Sequence, residues 1–174
     1  ASISFGQGIG VTPLQMTNAI SAIANGGTLM VPRITRAILK DGQIEKRFEP
    51  KAVRRVISIQ SSRQVIDILK HVVKDGTGKN AAVKGYEVAG KTGTAQKYDA
   101  KTGRYSKTAY VSSFIGFAPA DAAKVAILVM IDNPKGVHYG GSVAAPVFSN
   151  IARETLRYLN VPSSDQRVYI LDRA

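Results

Sequence analysis

The sequence predicts an α+β fold, an antiparallel sheet flanked by helices, and three observations carry that prediction. Two capped helical segments come first, three consecutive segments of strand character follow, and one amphipathic helical segment closes the pattern. The three strands are consecutive and joined by turns containing Gly103 and Pro119, which predicts an antiparallel meander. Of the 174 residues, 44% are apolar and 21% charged, near the globular average, which implies a packed core and not a disordered basic tail.

Thr12-Pro13-Leu14-Gln15 starts the first helix: Thr as N-cap, Pro at the first helical position, and Gln placed to close a capping box. Met16, Ala19, Ile20, Ile23 and Ala24 follow at helical spacing, and Asn25-Gly26-Gly27 ends the run. Residues 28–39 are short, β-branched and interrupted by Pro32, which predicts an edge strand or extended link before a turn at Asp41-Gly42. Ser61 with Gln64 repeats the capping pattern, and Val65, Ile66, Ile68, Leu69, Val72 and Val73 make a core helix that stops near Asp75-Gly76. Strands are predicted over 86–96, 108–117 and 124–132, and a last helix over 144–159 with Pro146 in its first turn.

Composition narrows the chemistry. With no Cys there is no disulfide framework, thiolate metal site or Cys nucleophile, and with two His a zinc site is not expected. No apolar run reaches the roughly 18 to 20 residues of a membrane span, so the segment is expected to be soluble. The 24 Lys plus Arg exceed the 12 Asp plus Glu by +12. Residues 33–55 hold eight basic residues (Arg33, Arg36, Lys40, Lys46, Arg47, Lys51, Arg54, Arg55) against three acids, and residues 70–107 hold nine against three. The excess is spread thinly and lacks interleaved aromatics, which reads as a solvated basic surface with a polyanion site as the alternative, and no nucleic-acid partner is expected.

Residues 85–92, from Gly85 to Gly90-Lys91-Thr92, match the phosphate-loop pattern GxxxxGK[ST], and the apolar run 125–132 ending in Asp132 resembles a magnesium-binding strand. The flanks argue against a nucleotide site, because no apolar strand precedes Gly85 and no helical stripe follows Thr92. Shifted along, the same stretch reads Lys91-Thr92-Gly93-Thr94 within a strand, a KTG element of penicillin-binding proteins and β-lactamases. Strand alternation puts Thr92 and Thr94 on one face and Lys91 on the other, so an ammonium and two hydroxyls border a cleft suited to a ligand carboxylate. Gly93 lets an extended peptide approach the edge.

Longer strings extend the resemblance. Ser4-Phe5-Gly6-Gln7-Gly8, Val11-Thr12-Pro13-Leu14-Gln15, Ala24-Asn25-Gly26-Gly27, Gly76-Thr77-Gly78, residues 88–96 around the KTG, residues 114–119 and residues 140–148 resemble the class B penicillin-binding proteins, in family order. Within that class the chain looks most like the division-specific (septal) peptidoglycan D,D-transpeptidase, with the sporulation enzymes next, and the implied fold is β-lactamase/transpeptidase-like.

The resemblance implies a serine acyl transferase that attacks the D-Ala-D-Ala end of a peptidoglycan stem peptide, releases D-Ala and passes the acyl group to an amine of a neighbouring stem. β-Lactam antibiotics acylate the same serine. Lys91 is the implied source of positive charge in the proton network, and Thr92, Gly93 and Thr94 the implied substrate-binding residues. The Thr94 N–H is by the same resemblance implied to be one of two oxyanion donors. No cofactor and no metal are implied. The implied partners are stem peptides, β-lactams and divisome membrane proteins, and the implied location is the extracytoplasmic (periplasmic) face of the bacterial cytoplasmic membrane.

The thirteen serines include no Ser-x-x-Lys, and no Ser-x-Asn occurs. Residues 1–174 are therefore expected to be the C-terminal part of the transpeptidase domain, inactive alone, its partner being the missing N-terminal half that bears the nucleophile. His138-Tyr139 stands where the family commonly carries two aromatics, and His138 reads as a surface loop residue or a general base. A non-catalytic β-lactam sensor domain of the same fold is the alternative function.

Overall fold

Thr12 sits in extended backbone (φ −76°, ψ 156°), its hydroxyl accepts the Gln15 N–H at 3.2 Å, and Gln15 Oε1 accepts the Thr12 N–H at 2.8 Å. The capping box read from the sequence is therefore closed, and α1 runs Pro13–Ala24 with Ile20 and Ala22 buried. In the computed structural model the described residues are 9–164, so the Phe5-Gly6-Gln7-Gly8 stretch lies outside them. After α1 the chain turns through Gly27 at φ +102°, where a side chain would run into the Ile57 carbonyl.

Two small antiparallel ribbons follow: β1 (Thr28–Met30) with β4 (Ala52–Arg55), and β2 (Ala37–Lys40) with β3 (Gln43–Arg47). The edge strand or extended link expected over 28–39 is instead two short strands, β1 and the start of β2, with Pro32, a residue that cannot donate to a ladder, in the link between them. The Asp41-Gly42 turn is present, with φ +50° and +77°, the geometry a two-residue hairpin requires.

Helix α2 spans Ile59–Lys74, and its N-cap is Ser58, which accepts the Ser61 N–H at 3.0 Å. The cap expected at Ser61 thus lies inside the first turn. The earlier start lets buried Ser62 donate to the Ile23 carbonyl at 2.6 Å, tying α2 to α1. A 3₁₀ turn at Lys79–Ala81 leads to β5 (Ala89–Asp99), β6 (Arg104–Ala118) and β7 (Val125–Asp132), an antiparallel sheet in the order β5-β6-β7. The meander is as predicted, although the first strand begins at Ala89, not Tyr86, because Gly85 (φ +81°) and Tyr86 form a turn closed by a Val83–Tyr86 bridge.

The register assigns the faces. Ile115 and Phe117 pack toward α1 and α2, with Ile20, Leu69 and Ala89, while Phe114 and Val129 face Phe148, Ala152 and Leu156 of α4 (Ala145–Tyr158). Phe114 and Phe148 rings meet at 4.7 Å. Before α4 stands a one-turn helix, α3 (Gly140–Val143), and Pro146 occupies the first turn of α4 as expected. Helices on both faces of an antiparallel sheet make the α+β class that the pattern predicted.

Candidate functional site: the outer edge of β5

Strand β5 pairs with β6 and with no other strand among the described residues, so its outer edge is open. Lys91, Thr92, Gly93 and Thr94 lie opposite Ile115, Phe114, Ser113 and Ser112. Thr92 and Thr94 therefore share the face of Phe114, and Lys91 stands on the other, as alternation required. The Lys91 side chain nevertheless curls over the edge: Nζ donates to the Thr92 carbonyl at 3.1 Å and to Thr92 Oγ1 at 3.3 Å. Ammonium and hydroxyl thus meet at one border despite their opposite starting faces.

Two other segments close on this strand. Thr77, just beyond α2, holds its Oγ1 at 2.7 Å from Thr92 Oγ1. Thr92 Oγ1 thus links Lys91 to Thr77, and either hydroxyl of the Thr77–Thr92 pair can be its donor. At the other end Gly140 N–H donates to Thr94 Oγ1 at 3.0 Å, which leaves the Thr94 hydroxyl proton free for a ligand. Asn80 Nδ2 donates to the Gly141 carbonyl at 2.9 Å and joins the two segments. The fit is close, since a Cβ on Gly140 would run into the Ser113 and Gly93 carbonyls and one on Gly141 into the Thr77 carbonyl.

Beyond Thr94 the His138 ring stacks on Tyr110, centroids 4.0 Å apart and planes 11° apart, with Tyr139 tilted against it at 4.8 Å. Ser112 donates its hydroxyl to the His138 carbonyl. His138 is thereby part of an aromatic wall at the Thr94 end of the edge. The same structure disposes of the phosphate loop: Lys91 and Thr92 lie in a strand, and no helix begins there. Among the described residues no group of three or more His, Asp or Glu side chains is placed to hold a metal.

A cavity of about 770 Å³ lies between α2 and residues 79–88, lined by Lys70, Lys74, Lys79 and Glu87 and by none of residues 91–94. Lys70 bridges Asp121 at 2.6 Å and Glu87 at 2.9 Å. Burial pulls its ammonium down, but hydrogen bonds to Asp121 and Glu87 and their charges outweigh that, so its pKa lies above the ordinary lysine value. The KTG strand is an open ledge and this cavity is separate from it.

Sequence reasoning identified all four strand residues but gave no role to Thr77, Asn80 or Gly140. Their signal was the strings Gly76-Thr77-Gly78 and Gly140-Gly141, visible only as resemblance, since Thr77 lies 15 positions from Thr92 and Gly140 lies 46 from Thr94.

A family model described as the penicillin binding protein transpeptidase domain matches residues 1–153. Stage V sporulation protein D of Bacillus subtilis is 47% identical over 164 residues, covering 92% of this chain and 25% of that protein. Peptidoglycan D,D-transpeptidase FtsI of Buchnera aphidicola is 36% identical over 162 residues, covering 92% of this chain and 27% of that one. Among solved structures, penicillin binding protein 3 of Mycobacterium tuberculosis, complexed with aztreonam, superposes with a TM-score of 0.82 at 40% identity, over 92% of this chain and 38% of that one. The chain spans about a quarter of the length of the curated relatives it matches. With its own KTG ledge standing at the sheet edge, the chain belongs to the family of penicillin-binding protein transpeptidase domains.

Proposed function

We propose that residues 1–174 are the C-terminal part of the transpeptidase domain of a peptidoglycan D,D-transpeptidase of cell division, and form the wall that binds the donor stem peptide. The observation that carries this reading is the convergence of the 77–80 and 138–141 segments on the open Lys91–Thr94 edge. An extended D-Ala-D-Ala end lies along β5 as an added strand, and Gly93 keeps its approach clear. Its terminal carboxylate takes the free Thr94 O–H and the unused N–H of Lys91, with Thr92 beside them. The Thr94 N–H holds the carbonyl oxygen as it becomes an oxyanion.

The serine is supplied by residues outside this chain. Its Oγ bonds to the penultimate D-Ala carbonyl carbon, the amide C–N bond breaks, and D-Ala leaves with the proton on its amine. An amine of a neighbouring stem then attacks the ester, forms the crosslink and returns the serine. A β-lactam follows the first step and remains as the acyl-enzyme. The named activity of FtsI and the aztreonam complex of the mycobacterial protein support the substrate and antibiotic classes. Divisome membrane proteins as partners, and the extracytoplasmic membrane face as location, belong to the same reading.

Fluorescent penicillin labelling of the full-length protein tests it. Lys91→Ala and Thr94→Val are each expected to lower the acylation rate by about 100-fold or more. Unchanged labelling of both would overturn the assignment. A turnover assay with donor and acceptor stem peptides then separates an enzyme, which releases D-Ala, from a non-catalytic sensor, which binds β-lactam and releases none.

A further inference from the structure

Residues 31–56 have no core. Within them only Ala37 and Phe48 are even half-buried, and Ile34 is fully exposed. Ile38, Leu39, Ile44 and Val53 are 44% to 64% exposed. The register of β2 and β3 divides their apolar side chains between both faces of the ribbon, with Leu39 opposite Ile44 on one and Ile38 opposite Lys46 on the other.

The eight cations of residues 33–55 add a second tension. None of them forms an ion pair with a carboxylate among the described residues. Arg55 donates to the Gly26 and Ile57 carbonyls, Arg33 to the Phe48 carbonyl, and Lys46 lies over the Phe48 ring at 5.0 Å. A two-stranded ribbon without a buried face is marginal in water, and neighbouring like charges lower its stability further. Strand β3 pairs with β2 alone, so its outer backbone edge is open among the described residues.

These features select one kind of occupant. A flat anionic surface, whether lipid or polymer, covers one face and leaves the apolar residues of the other in water. A strand added at the edge sends alternate side chains to the two faces, so an acidic and apolar alternation meets Lys46 on one and Ile44 on the other. We propose that the β2–β3 ribbon is a docking edge for an extended acidic segment of a partner protein. That segment adds beside β3, sets carboxylates against Lys46 on one face, and lays β-branched side chains against Ile44 on the other. This proposal stands apart from the transpeptidase reading and uses none of its residues.

The probe is a capped, fluorescent peptide of about ten alternating Glu and Val residues, a strand-length segment. It is titrated into the protein and read by anisotropy. Saturable binding is expected, weakening about tenfold as salt rises from about 50 to about 300 mM. Binding weakens by a similar factor, about tenfold, with Lys46→Glu/Arg47→Glu. Methylating alternate amide nitrogens of the probe keeps every charge and removes its edge hydrogen bonds, so binding should be lost. Equal binding of the methylated probe overturns the proposal, as does tighter binding to phosphatidylglycerol vesicles. Amide exchange of residues 43–47 gives the second readout. The probe should slow it, whereas full protection in the unliganded full-length polypeptide would mean that the protein's own chain covers the edge, and would sink the idea.

Discussion

Gly140 and Gly93 contrast at the residue scale. A methyl group on Gly140 would meet two backbone carbonyls, those of Ser113 and Gly93, which cannot rotate aside. Gly140→Ala therefore has to push α3 off the sheet and break the bond to Thr94, and a loss of about 1–3 kcal/mol is expected. A methyl on Gly93 meets only the Ser113 hydroxyl, a side-chain end that can turn away. Gly93→Ala should cost less than about 1 kcal/mol, so thermal melts should separate the two variants clearly. Equal losses would mean that the loop is not seated on the strand as described. Lys70 offers a test in pH. Its folded pKa is raised, so its contribution is fully present below the ordinary value of 10.5 and is lost as pH rises through the folded value. The lysine side chain is 19% exposed but its partners Glu87 and Asp121 are 57% and 75% exposed, which limits the contribution to about 0.5–1 kcal/mol. Urea unfolding of Lys70→Met should show that deficit unchanged from about pH 7 to pH 9 and shrinking only beyond the lysine range.

At the scale of elements, legibility followed burial. The α1 cap was spelled out in Thr12-Pro13-Leu14-Gln15 because every partner lies within three residues. For α2 the sequence holds two serines, Ser58 and Ser61, each able to cap, and the choice between them rests on Ser62 reaching Ile23, a tertiary contact no local pattern displays. Ser58→Ala should cost about 1 kcal/mol and Ser61→Ala only a few tenths, measured by thermal or urea unfolding. The reverse order would restore the sequence's own placement. Strands β5 to β7 were readable because their faces contact helices. The β2–β3 ribbon was not, apart from its Asp41-Gly42 turn, since hydrophobic periodicity carries no information where neither face is buried. The candidate site divides in the same way: Lys91, Thr92, Gly93 and Thr94 are contiguous and can be proposed from the sequence, whereas Thr77 and Gly140 join them only through the fold.

For the whole molecule, the net charge of +12 and the sheet's second edge act against each other. Strand β7 pairs with β6 alone among the described residues. Its run from Val125 to Ile131 contains no Lys, Pro or bulge of the kind that guards an edge, and charge enters only at Asp132. An unguarded apolar edge favours pairing between copies, while a uniform positive charge keeps copies apart. Screening decides between them. At about 0.01 M salt the Debye length is about 30 Å and repulsion holds the chain monomeric; at about 0.15 M it falls to about 8 Å and the edge is expected to govern. Sedimentation of the 174-residue chain should therefore show association that rises with salt, opposite in sign to binding of an acidic strand at β3. Met130 is 48% exposed on that strand, so Met130→Lys places a charge on the edge at little cost in stability and should hold the chain monomeric at the higher salt. Association that falls with salt, or that Met130→Lys leaves untouched, would show that β7 is not the surface through which copies meet.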